Sequence, residues 1–344
     1  LLYGAVGEWR NWLYDHRWLK SIRFDFPVIS VGNLSAGGTG KSPHIEYLIK
    51  TLQYVHQVAT LSRGYGRKTH GYIEATAQST ASDIGDEPWV FKQKFPETTV
   101  VVNEDRVMAI PKLLDAHPEL DVILLDDAYQ HRGVRQGLSI LLTEFNQPFM
   151  RDEVLPLGWL RERKSNYNRA DIIIVTKCPF NLTHEEADKI VAEIKPFKYQ
   201  RVFFTTMAYG HLYSIYDPSQ VLSPSPNLTA LMLTGIAKTD DLFAYLKTQF
   251  GQVYKRTYKD HHRYDTLDMT HIRYTFANLG DVEKVIVTTE KDAARLVPFL
   301  PWLQENKLPI YVQAMQIEFL LGGKTEFDFA INGYIEHEKR KLTS

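Results

Sequence analysis

The sequence predicts an α/β protein with a doubly wound, mostly parallel sheet, a second and smaller α/β lobe, and an amino-terminal amphipathic helix. Three observations carry this. From Phe26 onward, short and continuously apolar runs alternate with helical stretches, the rhythm of parallel strands covered on both faces by crossover helices. A Pro- and Ser-rich stretch at 217–228 divides that series from a second one. With 344 residues, 44% of them hydrophobic, the chain is long enough for two cores.

Composition narrows the function classes. Charges balance to a net of −1, without the clustered basic excess of a nucleic-acid binder. Cys178 is the sole cysteine, which rules out an intrachain disulfide, disfavours a thiolate metal site and fits a reducing compartment. No apolar run reaches the roughly 18 residues that span a bilayer, so the expected protein is soluble or peripheral.

In chain order, residues 1–24 come first. Leu2, Ala5 or Val6, Trp9 and Leu13 recur at helical spacing, with Trp12 and Trp18 nearby and Arg10, Arg17, Lys20 and Arg23 interspersed. An interfacial membrane helix and a helix packed on its own domain share this pattern, so both readings stand. Next, a core domain over 25–216 has strand candidates at 27–32, 57–62, 99–103, 122–126, 138–143 and 171–177. Helical stretches at 42–52, 87–95 and 184–194 separate several of them. The 217–228 linker follows. The smaller lobe, 229–344, has strands at 230–234, 284–289 and 309–313, a helix near 241–249 and a carboxy-terminal helix. A cleft between two lobes is the expected architecture.

The strand at 27–32 runs into Ser35–Ala36–Gly37–Gly38–Thr39–Gly40–Lys41–Ser42 ahead of a helix. Strand, glycine-rich loop and helix is the context of a Walker A phosphate loop, which makes the sheet that of a P-loop NTPase. Backbone N–H groups cradle phosphate oxygens, Lys41 reaches the β- and γ-phosphates, and the Ser42 hydroxyl meets Mg²⁺. Ser35 stands where the pattern has its first glycine. The loop also resembles the deviant Walker A of dimeric ATPases, but Ala36 replaces their signature lysine. The apolar run at 122–125 delivers Asp126 and Asp127 at its carboxyl end, a Walker B arrangement in which one of the two serves Mg²⁺.

Beyond these motifs, Gly-Asn-Leu-Ser-Ala-Gly-Gly-Thr-Gly-Lys-Ser-Pro at 32–43 resembles the phosphate loop of the lipid A 4′-kinase (tetraacyldisaccharide 4′-kinase) family. The resemblance extends in order through Leu-Ser-Arg-Gly-Tyr-Gly-Arg at 61–67, Gly-Asp-Glu-Pro at 85–88 and Asp-Asp-Ala-Tyr-Gln-His-Arg at 126–132. Leu-Pro-Leu-Gly at 155–158, Arg-Glu-Arg at 161–163, Asp-His at 260–261 and Thr-Glu-Lys-Asp at 289–292 complete it. Ala128 departs from the family's usual glycine.

The resemblance implies ATP- and Mg²⁺-dependent phosphorylation of the 4′-hydroxyl of a tetraacylated glucosamine disaccharide 1-phosphate, at the cytoplasmic face of the bacterial inner membrane. It gives the amino-terminal helix a membrane surface to meet, and no obligate protein partner follows from it. It also implies Asp86 as the base, with His261 of the second lobe as partner, in a pair completed when the lobes close. Read from the residues alone, Gly85–Asp86–Glu87–Pro88 is a helix start with an acidic first turn. Glu87 then either caps or assists the metal, and Glu162 either orients its flanking arginines or joins the Mg²⁺ shell. Arg63, Arg67, Arg106, Arg161 and Arg163 are candidate contacts for the lipid phosphate and the transferring phosphoryl group. Gln130 and His131 follow the Walker B aspartates and are expected to face the site. Thr289–Asp292 is expected near the nucleotide base.

Two alternatives remain at this level. A P-loop GTPase or metallochaperone would carry an Asn-Lys-X-Asp motif, and Val175–Thr176–Lys177–Cys178–Pro179 lacks both specifying groups. A non-catalytic, membrane-associated nucleotide-binding module would be expected to lose Lys41, Ser42 or the Walker B aspartates, and all are present.

Overall fold

The computed structural model describes residues 2–236 and 239–343, with the side chains of 2–6 and 343 outside the description. The expected contributions of Leu2, Ala5 and Val6 to an apolar helix face therefore lie outside the described side chains.

The elements, in chain order, are α1 (Leu2–Asp15), β1 (Val28–Asn33), α2 (Lys41–Leu52), β2 (Val58–Ser62), β3 (Ile73–Glu74), α3 (Ala81–Ile84), α4 (Asp86–Lys94), β4 (Thr99–Val102), α5 (Arg106–Ala116), β5 (Val122–Asp126) and β6 (Leu138–Glu144). They continue with β7 (Ile172–Thr176), α6 (His184–Ile194), β8 (Arg201–Ser214), β9 (Val221–Leu222), β10 (Thr229–Thr234), α7 (Asp240–Gln249) and β11 (Gln252–Thr257). The last are α8 (Thr266–Ala277), β12 (Lys284–Thr289), α9 (Glu290–Leu296), α10 (Leu300–Glu305), β13 (Ile310–Phe319) and α11 (Gly323–Thr343).

The chain divides into two compact units. The first comprises Leu1–Ser79, Phe91–Ala208 and Gln316–Ser344, the second Thr80–Val90 and Tyr209–Met315. In the first, strands run in the order β7-β6-β1-β5-β2-β4, all parallel, with β3 antiparallel on β4 and the start of β8 parallel to β7. β1 is central and buried at every position. One face packs Leu141, Ile173, Val175 and Ile190. The other packs Leu61, Val101, Ile110, Leu113 and Leu125. Two buried faces explain why these strands read as unbroken apolar runs rather than alternating ones.

In the second unit β11-β10-β12-β13 is again a parallel sheet. Leu231, Leu233 and Ile286 point into one core and Ala230, Met232 and Val287 into the other.

The division differs from the expected domains in three places. The 217–228 stretch is a turn inside the second unit, where Val221 and Leu222 pair antiparallel with Tyr213 and Leu212 of β8. Pro218 and Ser219 lie in the hairpin turn between β8 and β9, closed where Ser214 N–H donates to Gln220 O at 2.9 Å. Thr80–Val90, including Asp86, belongs to the second unit. The carboxy-terminal helix α11 belongs to the first: the Tyr47 hydroxyl donates to Asp328 at 2.7 Å, and Lys339 Nζ meets Asp121 at 2.7 Å.

Candidate functional site

In the first unit the phosphate loop leaves the carboxyl end of β1. The φ of 122° at Gly37 and 88° at Gly40 are left-handed conformations open to glycine. Gly40 ends the loop, and α2 begins at Lys41. The segment after Val154 braces the loop from outside. Ala36 N–H donates to Trp159 O at 2.6 Å, and Arg161 N–H donates to Leu34 O at 2.7 Å. From within, the Thr176 hydroxyl donates to Thr39 O at 3.0 Å. Buried His44, on the first turn of α2, reaches back to Gly40 O at 2.7 Å and to the Thr205 hydroxyl at 3.1 Å. Burial pulls its pKa down to about 4.

Lys41 Nζ lies 3.3 Å from Asn33 Oδ1 and 3.7 Å from Asp127 Oδ1. Asp126 closes β5 in a buried position, and Asp127 follows in a left-handed turn with φ 47°. Arg161 places two nitrogens on the Asp127 carboxylate, at 3.2 and 2.8 Å, and also contacts Asn33 Oδ1. Burial alone would raise the Asp127 pKa, but Lys41, Arg161 and Arg106 outweigh it and hold the carboxyl below its ordinary value. Arg106, first residue of α5, is itself buried. Desolvation lowers its pKa against the opposing pull of Asp127 and Asp126, and exposed Arg63 adds a like charge beside it. Gln130 donates to Asn33 O at 2.7 Å. Burial, then Arg106, lowers the His131 pKa to about 4.

The first unit therefore gathers Lys41, Asp126, Asp127, Arg161, Arg106 and Arg63, with Ser42 on the same opening turn as Lys41. It does not gather every expected arginine. Arg67 is turned to Glu104 at 2.5 Å and to Gly71 O at 2.8 Å. Arg163 pairs with Glu8 of α1. Glu162 is buried with its carboxylate facing Asn11, Asn166 and Arg169 at 3.1, 2.7 and 2.6 Å.

These last contacts fix α1 by its polar side. Arg10 donates to Gln130 O at 2.6 Å and Arg132 pairs with Asp15 at 2.6 Å. Trp9, Trp12 and Trp18 are left 65%, 47% and 75% exposed.

In the second unit Asp86 opens α4, and Arg295 of α9 places Nε and one terminal nitrogen on its Oδ2 at 2.9 and 2.6 Å. His261, in a left-handed conformation with φ 56°, lies with Nδ1 3.8 Å from the same oxygen. Glu87 pairs with Lys291 at 2.6 Å, and its pKa falls because Lys291 overcomes the effect of burial. His262 is committed to Asp268 at 2.7 Å and stacks on Tyr258, which leaves His261 as the histidine beside Asp86.

Asp292, expected near a nucleotide base, is fully buried instead. It accepts from Gly235 N–H at 3.0 Å and the Thr289 hydroxyl at 2.8 Å. A charged side chain survives burial only when satisfied in this way, so Asp292 braces the turn rather than reading a ligand. Asn33 and Arg295 are the residues the sequence reading passed over. Asn33 had a signal in its place at the end of the strand before the loop. Arg295 had a weaker one, its i+3 spacing from Asp292 on a helix.

Comparison with known proteins finds relatives along nearly the whole chain. The family described as tetraacyldisaccharide-1-P 4′-kinase matches residues 1–335. A tetraacyldisaccharide 4′-kinase of Bacteroides thetaiotaomicron is 42% identical over 350 residues, covering 98% of this chain and 92% of the relative. That of Flavobacterium johnsoniae is 42% identical over 339 residues, covering 98% and 95%. A crystal structure of LpxK from Aquifex aeolicus in complex with ATP superposes with a TM-score of 0.71 at 26% identity, covering 96% of each chain.

Proposed function

The chain belongs to the tetraacyldisaccharide-1-P 4′-kinase family, and from that premise we propose that it transfers the γ-phosphoryl group of ATP to the 4′-hydroxyl of a tetraacylated glucosamine disaccharide 1-phosphate. The observation that carries this reading is the cluster at the mouth of β1. There Lys41 and Arg161 converge on Asp127 and Asn33 beside a glycine loop that opens a helix.

Phosphoryl transfer needs positioning and charge neutralisation more than covalent chemistry. The loop amides and Lys41 hold the β- and γ-phosphates, and Arg161 and Arg106 face the charge on the transferring group. The Ser42 hydroxyl and the carboxylates of Asp126 and Asp127 are hard oxygen donors. They suit Mg²⁺ that takes its other ligands from phosphate and water. When bound, the cation neutralises charge on the phosphates. Glu87 and Glu162 are engaged by Lys291 and by Asn11, Asn166 and Arg169, so we leave them outside the metal shell. As the 4′-oxygen bonds to the γ-phosphorus and the bond to the β–γ bridging oxygen breaks, Asp86 takes the hydroxyl proton and ADP leaves. His261 supports it.

The exposed tryptophans of α1 and the basic residues after them support contact with a membrane surface, where the acyl chains of such a substrate reside. Among the described residues no helix is long and apolar enough to cross a membrane. A peripheral position at the cytoplasmic face of the inner membrane is therefore part of the proposal.

The test is transfer of label from γ-labelled ATP to tetraacyldisaccharide 1-phosphate in detergent micelles with Mg²⁺. Label on the lipid that disappears with Lys41→Ala and falls strongly with Asp86→Ala supports the whole reading. Transfer that survives Asp86→Ala reduces Asp86 to a helix-start residue. No transfer by an unmodified protein that binds ATP removes the substrate assignment.

A further inference from the structure

We infer that Arg295 is the positioning residue of the proton acceptor, fixing Asp86 and His261 in one geometry while touching neither phosphate nor lipid. The inference rests on the reading of Asp86 as the base. Its ground is how the guanidinium is used. The Arg295 side chain is only 6% exposed, and its donors are spread over four partners. Nε and one terminal nitrogen meet the single oxygen Oδ2 of Asp86 at 2.9 and 2.6 Å. That terminal nitrogen also lies 3.3 Å from His261 Nδ1. The other terminal nitrogen donates to Gly235 O at 2.9 Å and to Asp292 Oδ1 at 3.2 Å.

Three consequences follow from this geometry. At 3.8 Å, Asp86 and His261 are too far apart for a direct hydrogen bond, and one Arg295 nitrogen contacts both. A guanidinium has no acceptor, so His261 Nδ1 is the acceptor in this contact, while Nε2 faces Asp260 Oδ2 at 3.8 Å. Two donors converging on Oδ2 pin that oxygen from two directions, which a single ammonium cannot do, and Arg295 leaves Oδ1 to other partners.

The rear of the guanidinium is anchored as firmly. Asp292 is sealed from solvent and held by Gly235 N–H, the Thr289 hydroxyl and, at 3.4 Å, the Tyr264 hydroxyl. The turn after β10, the start of α9 and the start of α4 thus converge on one cation. An arginine cannot take the proton itself, so its effect on the reaction passes through Asp86 and His261.

The experiment compares Arg295→Ala, Arg295→Lys, Asp86→Asn and the double variant Arg295→Ala/Asp86→Asn in the full chain. It measures label transfer to tetraacyldisaccharide 1-phosphate in micelles, with ATP binding followed separately. Misplacing a reacting group by about 1 Å costs up to about 100-fold. Arg295→Ala is therefore expected to lower kcat by about 10- to 100-fold while the KM for ATP stays within about threefold. Guanidinium chloride at low, non-denaturing concentration should restore part of kcat to Arg295→Ala but none to Asp86→Asn. Removing Arg295 from Asp86→Asn should add no further loss. Arg295→Lys, which keeps the charge without the fork, should lose several-fold in kcat, and it carries the test if Arg295→Ala does not fold. Unchanged kcat in Arg295→Lys and Arg295→Ala overturns the inference and leaves Asp86 as base. A full additional loss in the Asp86→Asn background overturns it as well. Full kcat in Asp86→Asn removes the base reading, and the inference goes with it.

Discussion

His44 offers a prediction whose size can be worked from its surroundings. It sits fully inside the first turn of α2, its Nδ1 directed at Gly40 O and its Nε2 at the Thr205 hydroxyl. A carbonyl can only accept, so Nδ1 carries the proton of the neutral ring. Burial lowers its pKa from 6.5 to about 4, against a smaller opposing effect of the bond to Gly40. Because the folded value lies below the unfolded one, the unfolded chain binds the extra proton first as pH falls. The contribution of neutral His44 is complete above about pH 6.5 and lost through the window down to about pH 4. Across the window it amounts to about 3 kcal/mol. At about pH 5 the unfolded imidazole is almost wholly protonated and the folded one only about a tenth, so about 2 kcal/mol has gone. Urea unfolding of the unmodified chain and of His44→Gln, at about pH 8 and about pH 5, reads this directly. The advantage of the unmodified chain should shrink by about 2 kcal/mol between the two conditions. An advantage that stays the same at both would refute the argument, since a ring whose pKa is unchanged on folding makes no pH-dependent contribution.

Three further outcomes are expected. Gly32→Ala puts a Cβ 2.7 Å from Tyr129 Cβ and 2.9 Å from Tyr129 N, which should destabilise the first unit by about 1–3 kcal/mol in denaturant titration. The neighbours Arg161 and Arg163 should separate in transfer assays: Arg161→Ala, which empties the fork on Asp127, loses on the order of 100-fold. Arg163→Ala, which breaks an exposed pair with Glu8, changes rate and stability little, by at most about 1 kcal/mol. Replacing Trp9, Trp12 and Trp18 by serine should lower flotation with anionic vesicles while leaving ATP binding intact, whereas unchanged flotation would return α1 to a purely structural role.

Much of the fold was legible because its strands are short and buried on both faces. Val122–Asp126 and Lys284–Thr289 are continuous apolar runs with polar ends, and they begin and end where that pattern does. His184–Ile194 is equally clear, since Thr183 and Glu186 form a reciprocal capping box ahead of it. The elements that escaped break these rules for physical reasons. Helix α5 contains Pro111 on its second turn, which reads as a breaker because it gives up an i→i−4 bond and its ring crowds the preceding turn. The fourteen-residue β8 carries Thr205, Thr206, Gly210 and His211, so its apolar run is interrupted. The unit boundary falls between Ala208 and Tyr209 within this strand, where a reading based on composition looks for a loop.

The candidate residues of the two units were legible to different degrees. Phosphate binding is written in consecutive residues, because a loop that turns its amides inward needs glycines at adjacent positions and a lysine on the following turn. The proposed proton chemistry has no such local code. Arg295 and Asp86 are 209 positions apart, and what joins them is a buried cation satisfied by two carboxylates, a carbonyl and an imidazole. Each of those groups alone resembles an ordinary helix start or a solvated charge. Burial converts them into a coupled set, because a desolvated guanidinium must find acceptors on every side. The turn at Gly235, the cap at Thr289 and the first residue of α4 supply them. Sequence thus announces the residues whose role is set by backbone conformation, reaches Asp86 and His261 only through motif resemblance, and passes over Arg295, whose place is set by long-range charge satisfaction.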